Sequence, residues 1–215
     1  LLRYGRKIGP DPSSISAAMM GGILSNNASG MCCGTQFNSY HTLLHIRFIL
    51  PDGMMYSTSQ QKDYDRFEKE QGPLFEGLAD LRKRIHADHD LFRKIRNKYK
   101  IKNTIGYALN AFLDFQHPLD VFAHLLIGAE GTLAFIAEAV LETIPDLPFK
   151  STAMLYFRDI RSACKAIAPL TEAGAAMVEL MDRASLRAVE SIAGIDPFIV
   201  QLPPDASALL VEFQS

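Results

Sequence analysis

The apolar positions of this chain change period along its length, and each period predicts an element. Residues 43–50, Leu-Leu-His-Ile-Arg-Phe-Ile-Leu, are rich in β-branched and aromatic side chains and read as a strand. Pro51-Asp52-Gly53 supplies a turn into a second strand at 54–57, which makes a hairpin. Leu74, Phe75, Leu78, Leu81 and Ile85 recur at helical spacing, as do Leu91, Phe92, Ile95 and Tyr99, predicting two amphipathic helices joined near His89. His117-Pro118-Leu119-Asp120 starts a further helix over 121–126, and 132–144 reads as a strand closed by Pro145 and Pro148. Ahead of the hairpin, Pro10 and Pro12 hold an extended approach, and Ser13 or Ser14 caps a short helix over 15–20 that ends at Gly21-Gly22. Past Lys150 the order becomes strand 152–157, helix 160–172 bent by Pro169, strand 177–181, helix 183–192 and strand 208–213. That order is the pattern of a ferredoxin-like layer, so a boundary is expected between domains at 1–148 and 149–215.

Length and composition change this picture only modestly. A chain of 215 residues buries one good core, or one core and part of a second. A formal net charge of −2 gives no electrostatic footprint for nucleic acid. Three cysteines, two of them adjacent at Cys32-Cys33, form neither a disulfide framework nor a zinc spacing, so no metal site is expected and a reduced, cytoplasmic setting is the default. No apolar run approaches the roughly 20 residues that span a bilayer. Residue 1 is Leu, and the last strand-like run stops just short of the final residue, so the chain is expected to be a piece of a longer polypeptide.

Candidate chemistry concentrates in two stretches. Residues 8–35 gather Gly9, Pro10, Pro12, Gly21, Gly22, Asn26, Asn27, Ser29, Gly30 and Gly34 around a short apolar segment. Gly and Asn tolerate the left-handed backbone that turns successive N–H groups toward one point, which suggests a neutral cradle for a phosphorylated cofactor with the amides of Asn26 to Gly30 as donors. The stretch is neither a Walker-type loop nor a G-x-G-x-x-G fingerprint, and by composition alone it also fits a plain glycine-rich turn. In the second stretch Gly128 and Gly131 bracket Glu130 before an apolar run.

Taken together, Pro10-Asp11-Pro12-Ser13-Ser14, Gly21-Gly22, Asn26-Asn27-Ala28-Ser29-Gly30 and Gly128-Ala129-Glu130-Gly131-Thr132-Leu133-Ala134-Phe135-Ile136 resemble the flavin domain of the FAD-linked oxidases of the vanillyl-alcohol oxidase and p-cresol methylhydroxylase type. The nearer resemblance is to D-lactate and D-2-hydroxyacid dehydrogenases. It implies an α+β fold: the second subdomain of a PCMH-type FAD-binding domain, an antiparallel sheet flanked by helices, followed by the start of a ferredoxin-like cap domain. It also implies FAD as cofactor, lined by Pro10, Asp11, Ser14, Gly21, Gly22, Asn26, Asn27, Ala28, Ser29, Gly30, Gly128, Glu130, Gly131, Thr132, Leu133 and Ile136. The implied reaction is hydride transfer from a small D-2-hydroxyacid such as D-lactate to the flavin. Electrons then leave to an acceptor, an iron–sulfur region or a membrane quinone, which makes the setting cytoplasmic or membrane-associated. Another alcohol oxidase on the same scaffold, or a flavin-binding or structural subunit without chemistry, remains open at this point.

The remaining polar residues point to no catalytic group. His41 and His45 share a face of the strand expected there but have no third ligand nearby. Cys32-Cys33 reads as buried thiols, because a vicinal disulfide is strained. Glu130 is expected to matter through the amides of Gly131 and Thr132 facing the flavin, since a carboxylate beside a diphosphate costs energy. Arg82, Lys83, Arg84, Arg93, Lys94, Arg96, Lys98, Lys100 and Lys102 form a solvated basic face or a docking surface for an acidic partner or an anionic membrane.

Overall fold

The computed structural model describes residues 1–215. The chain divides into two compact units, Leu1–Pro145 and Asp146–Ser215. In chain order the first contains β1 (Arg6–Ile8), α1 (Met20–Asn26), α2 (Ser39–Thr42), β2 (Leu43–Ile49), β3 (Met55–Ser57), α3 (Gln61–Glu70), α4 (Gly72–Ala87), α5 (His89–Lys98), α6 (Ala111–Asp114), α7 (Pro118–Leu125), β4 (Phe135–Leu141) and β5 (Thr143–Pro145). The second contains β6 (Lys150–Phe157), α8 (Ile160–Glu172), β7 (Met177–Met181), α9 (Arg183–Val189) and β8 (Ser207–Gln214). No helix is long and apolar enough to cross a membrane.

The first unit is built on an antiparallel sheet in the order β3-β2-β4, with β1 and β5 forming a separate two-stranded ribbon. Ile46 and Phe48 alternate inward from β2 and are fully buried, whereas Arg47 points outward to Glu138 on the paired strand, 2.8 Å away. The alternation breaks at a bulge between Leu43 and His45, which leaves Leu44 and His45 exposed although Leu43 is buried. Phe48 meets Phe122 of α7 with ring centroids 5.2 Å apart, and Tyr56 of β3 meets Phe67 of α3 edge to face at 5.2 Å. Leu78 and Ile85 of α4 and Ile95 of α5 join the same core, which is how the amphipathic helices are held against the sheet.

In the second unit β8 lies between β6 and β7 and runs antiparallel to both. Leu209 and Val211 of β8 pack with Ala163 of α8, while Ala208, on the alternate face, packs with Leu186 of α9 and Ile199. The observed bounds of β7 and α8 coincide with the expected ones, and α8 carries Pro169 inside it.

Several elements differ from expectation. Residues 13–17 form turns, and the helix expected at 15–20 is instead Met20–Asn26, with Gly21 and Gly22 in its first turn. The stop signal is Asn27, left-handed at φ 51°, and not the glycine pair. The strand expected over 132–144 is interrupted, running as β4 and β5 around Glu142, whose amide bonds Thr42 O at 2.7 Å. His41 belongs to α2 and His45 to β2, so they do not share a strand face. Helix α3 is unforeseen because Gln61–Glu70 is polar nearly all round. It is fixed by the buried Phe67 and by Asp63, which accepts from Ser57 N and pairs with Arg66.

His124 of α7 sits in this core, stacked on Phe115 at 3.8 Å, edge-on to Tyr40 at 5.1 Å, with Nδ1 on the carbonyl of Asp120. Burial lowers its proton affinity below that of a free imidazole, against the smaller opposing pull of Asp120 and Asp114. The unfolded chain therefore binds more protons than the folded one between the folded value and the ordinary value of about 6.5. The resulting stability is fully present above that window and is lost as pH falls through it. Urea unfolding of the chain is expected to show a stability that declines below about pH 6.5, with His124→Gln reducing that slope; an unchanged slope in the variant contradicts the assignment.

Candidate flavin-facing wall

The site begins with the way α1 ends. Asn27 takes the left-handed position after the helix, its amide bonding Leu24 O at 3.0 Å, and Ala28 N reaches back to Ile23 O at 2.9 Å. This is a Schellman closure, the ordinary means of satisfying the last carbonyls of a helix. Two carbonyls at the same end accept from the second motif: Gly128 N bonds Leu24 O at 3.0 Å, and Glu130 N bonds Ser25 O at 2.8 Å. Asn26 Nδ2 completes the junction by donating to Glu130 Oε1 at 2.8 Å, across 104 residues of sequence. The two motifs thus form one continuous surface.

A third strip of chain joins them. Lys102 Nζ donates to the carbonyls of Ser29 at 2.9 Å and Gly30 at 3.0 Å. Tyr107 and Thr132 share a hydroxyl–hydroxyl bond of 2.9 Å, and Tyr99 OH both donates to Tyr107 O and accepts from Leu109 N. On the other side Gly30 N bonds Pro10 O at 2.7 Å, and a Cβ built on Gly30 would lie 1.8 Å from Asp11 O. Glycine at position 30 is therefore a packing requirement. A Cβ on Gly128 would likewise lie 3.0 Å from Gly106 O. The three non-glycine residues with positive φ, Asp11, Asn27 and Glu130, all fall in these two motifs. Such backbone costs energy, and surrounding structure must over-determine it.

The wall brings together Pro10, Asp11, Asn26, Asn27, Ala28, Ser29, Gly30, Gly128, Glu130 and Thr132 through these bonds and close approaches. Gly131 lies between Glu130 and Thr132 with a left-handed φ of 72°. Leu133 packs against the core, and Ile136 lies in β4 opposite Phe48. Ser14 stands exposed in a turn, its carbonyl accepting from Ala17 and Ala18. Gly21 and Gly22 are exposed helical residues, and a Cβ added to either would meet nothing within 4 Å.

The expected row of bare amides is only partly there: the amides of Ser29 and Gly131 make no main-chain hydrogen bond. Those of Asn27 and Ala28 close the helix, that of Gly30 is bonded to Pro10, and that of Thr132 is bonded to Ala129 O at 3.0 Å. Beside those two amides the wall presents side-chain chemistry: Asn26, Ser29, Thr132, Tyr107, the Lys102 ammonium and the Lys7–Asp11 pair at 3.0 Å. Sequence reasoning missed Lys102 because it closes a run of cations that reads as a solvated face. The nearby Gly106-Tyr107 was its signal.

These residues suit a flavin dinucleotide. Asn27 is 6% exposed and its Oδ1 has no partner, an unmet acceptor next to the loop. Met19, at 81% exposure, Ile15 and Met31 leave apolar surface along the same motif. Ser29 Oγ and the buried Cys33 Sγ lie 2.6 Å apart, so the thiol braces the loop from beneath.

Away from this wall, a cavity of about 470 Å³ is lined by Tyr40, His41, His45, Tyr64, Asp114, Asp120 and His124 among others. Its tyrosines donate to carboxylates, Tyr40 to Asp114 and Tyr64 to Asp120, each at 2.7 Å. Burial, and then those carboxylates, push both phenols well above their usual range, so they remain protonated donors.

Residues 1–59 match the family of the FAD binding domain, and residues 147–215 match that of the FAD linked oxidases, C-terminal domain. The chain is similar to D-2-hydroxyglutarate dehydrogenases of Haemophilus influenzae, at 25% identity over 187 residues, and of Pantoea ananatis, at 28% over 184 residues. Each match covers 83% of this chain and 18% of the relative, so the chain spans less than a fifth of their length. Two solved structures of alkyldihydroxyacetonephosphate synthase match over 100% of this chain and 32% of theirs, with TM-scores of 0.58 and 0.54 at 14% identity. At that identity the likeness is one of fold.

The glycines separate by role, and substitution tests the separation. Gly30→Ala is expected to destabilise the first unit by about 2 kcal/mol or more, because backbone must move to admit the methyl group. Gly21→Ala, in an open helical turn, is expected to be neutral or to stabilise by about 0.5–1 kcal/mol. Equal effects at the two positions in denaturant titrations contradict this account.

Proposed function

We propose that this chain, a member of the FAD-linked oxidase family, is part of a flavoprotein that oxidises a D-2-hydroxyacid to the 2-oxoacid. The observation that carries the flavin part of the reading is the junction of the two motifs through Gly128 N, Glu130 N and Asn26 Nδ2. The substrate class is supported by the D-2-hydroxyglutarate dehydrogenases that the chain resembles. D-lactate and D-2-hydroxyglutarate both belong to the class proposed.

FAD is the cofactor, and when bound it supplies the acceptor for the hydride from the carbinol carbon. The residues of this chain bind and orient it. Asn26, Ser29 and Thr132 offer hydrogen bonds, while Gly30 and Gly128 let the strips that carry them pack closely on one another. No side chain of the wall is assigned the proton of the substrate hydroxyl. The cap role of 149–215, the electron acceptor, whether iron–sulfur region or membrane quinone, and a cytoplasmic or membrane-associated setting belong to the same reading.

Anaerobic titration of the complete protein tests it. Addition of D-2-hydroxyglutarate or D-lactate is expected to bleach the visible flavin absorption, with the L-enantiomers inert. Bleaching by an unrelated alcohol alone contradicts the substrate class. A bound flavin that no alcohol or hydroxyacid bleaches contradicts the enzymatic reading and leaves a flavin-binding subunit.

A further inference from the structure

We propose that Lys102 is the positioning residue that makes this wall selective for a flavin bearing a diphosphate, an inference that rests on FAD occupying the site. The argument starts from where the amides go. A loop that holds a phosphate through its main chain must leave N–H groups free. Here the amides of Asn27, Ala28, Gly30 and Thr132 are consumed within the fold, which leaves those of Ser29 and Gly131 as isolated main-chain donors. The wall also carries two carboxylates, those of Asp11 and Glu130. Asp11 is paired with Lys7 at 3.0 Å, whereas Glu130 accepts from the neutral side-chain amide of Asn26. Without a further cation such a surface repels a diphosphate, whose two phosphates each carry negative charge.

Lys102 supplies that cation from 72 residues away in sequence. Its ammonium has three donors, and the carbonyls of Ser29 and Gly30 take two, leaving one N–H and the charge. The same two bonds fix the loop that carries Asn27 and Ser29. Ordering a lysine costs side-chain entropy, but the strip that presents this one is already closed at its base by Tyr99, bonded to Tyr107 O and Leu109 N. Tyr107 in turn reaches Thr132 of the second motif. Lys102 thus brings charge to the first motif and ties its own strip to it, while Tyr107 ties that strip to the second motif.

The test uses the complete protein stripped of flavin. Dissociation constants for FAD and for riboflavin, which lacks the diphosphate, are measured for the wild type, Lys102→Met and Lys102→Arg, with the melting temperature of each apoprotein. Lys102→Met is expected to weaken FAD by about tenfold or more while riboflavin changes by less than about twofold, and Lys102→Arg is expected to restore most of the difference. The preference of the wild type for FAD over riboflavin is expected to shrink with added salt. Unchanged FAD affinity in Lys102→Met, or equal losses for FAD and riboflavin, overturns the proposal. Should Lys102→Met fail to fold, a wild-type preference insensitive to salt overturns it. A wild-type protein that binds riboflavin but not FAD, or neither, contradicts the cofactor reading itself and is distinguished from these outcomes by being seen before any substitution.

Discussion

Two main-chain hydrogen bonds, from Gly128 N to Leu24 O and from Glu130 N to Ser25 O, hold the two glycine-rich motifs of this chain together. They exist because α1 stops at Asn26. A helix must satisfy its last carbonyls, and the left-handed turn at Asn27 satisfies Ile23 and Leu24 while leaving the end of the helix open to a second strip of chain. Glu130 answers with its own left-handed backbone, and Gly128 fits because a side chain there would press on Gly106 O and Asn27. Such bonds are worth about 1 kcal/mol each, but losing a buried partner costs more, so the junction is harder to break than to form.

The surface that results differs in kind from a loop of free amides. Most of its main chain is spent on its own cohesion, and side chains make up much of what it presents: Asn26, Ser29 and Thr132, with Lys102 and the Lys7–Asp11 pair carrying charge. The sheet beneath provides rigidity. Phe48 and Ile46 of β2 anchor it to α3, α4 and α7, and β4 leaves the second motif at Phe135 to pair with β2. Folding and site construction therefore share the same strands.

Much of this organisation can be read from residues alone. The hairpin of β2 and β3, helices α4, α5 and α7, and the strand and helix order of Asp146–Ser215 follow from periodicity and from Gly and Pro punctuation. Local signals fail where tertiary context decides. Helix α3 has too few apolar positions to announce itself, and it takes the contact of Phe67 with Tyr56 and the bond of Ser57 N to Asp63 to show why it forms. Gly21-Gly22 looks like a stop, yet the first turn of a helix tolerates glycine, and Asn27 ends it. Lys102 is invisible because its meaning lies in carbonyls far away in sequence. Motif resemblance singles out the two loops, but the direction of their amides is a property of the folded chain.

Residue-resolved hydrogen exchange of the complete protein, with and without FAD, tests the junction most directly. The account predicts that the amides of Gly128 and Glu130 exchange slowly in the apoprotein and more slowly once FAD is bound, in step with those of Asn27 and Ala28. Exchange of Gly128 and Glu130 at the rate of an open loop, unaffected by FAD, would contradict it.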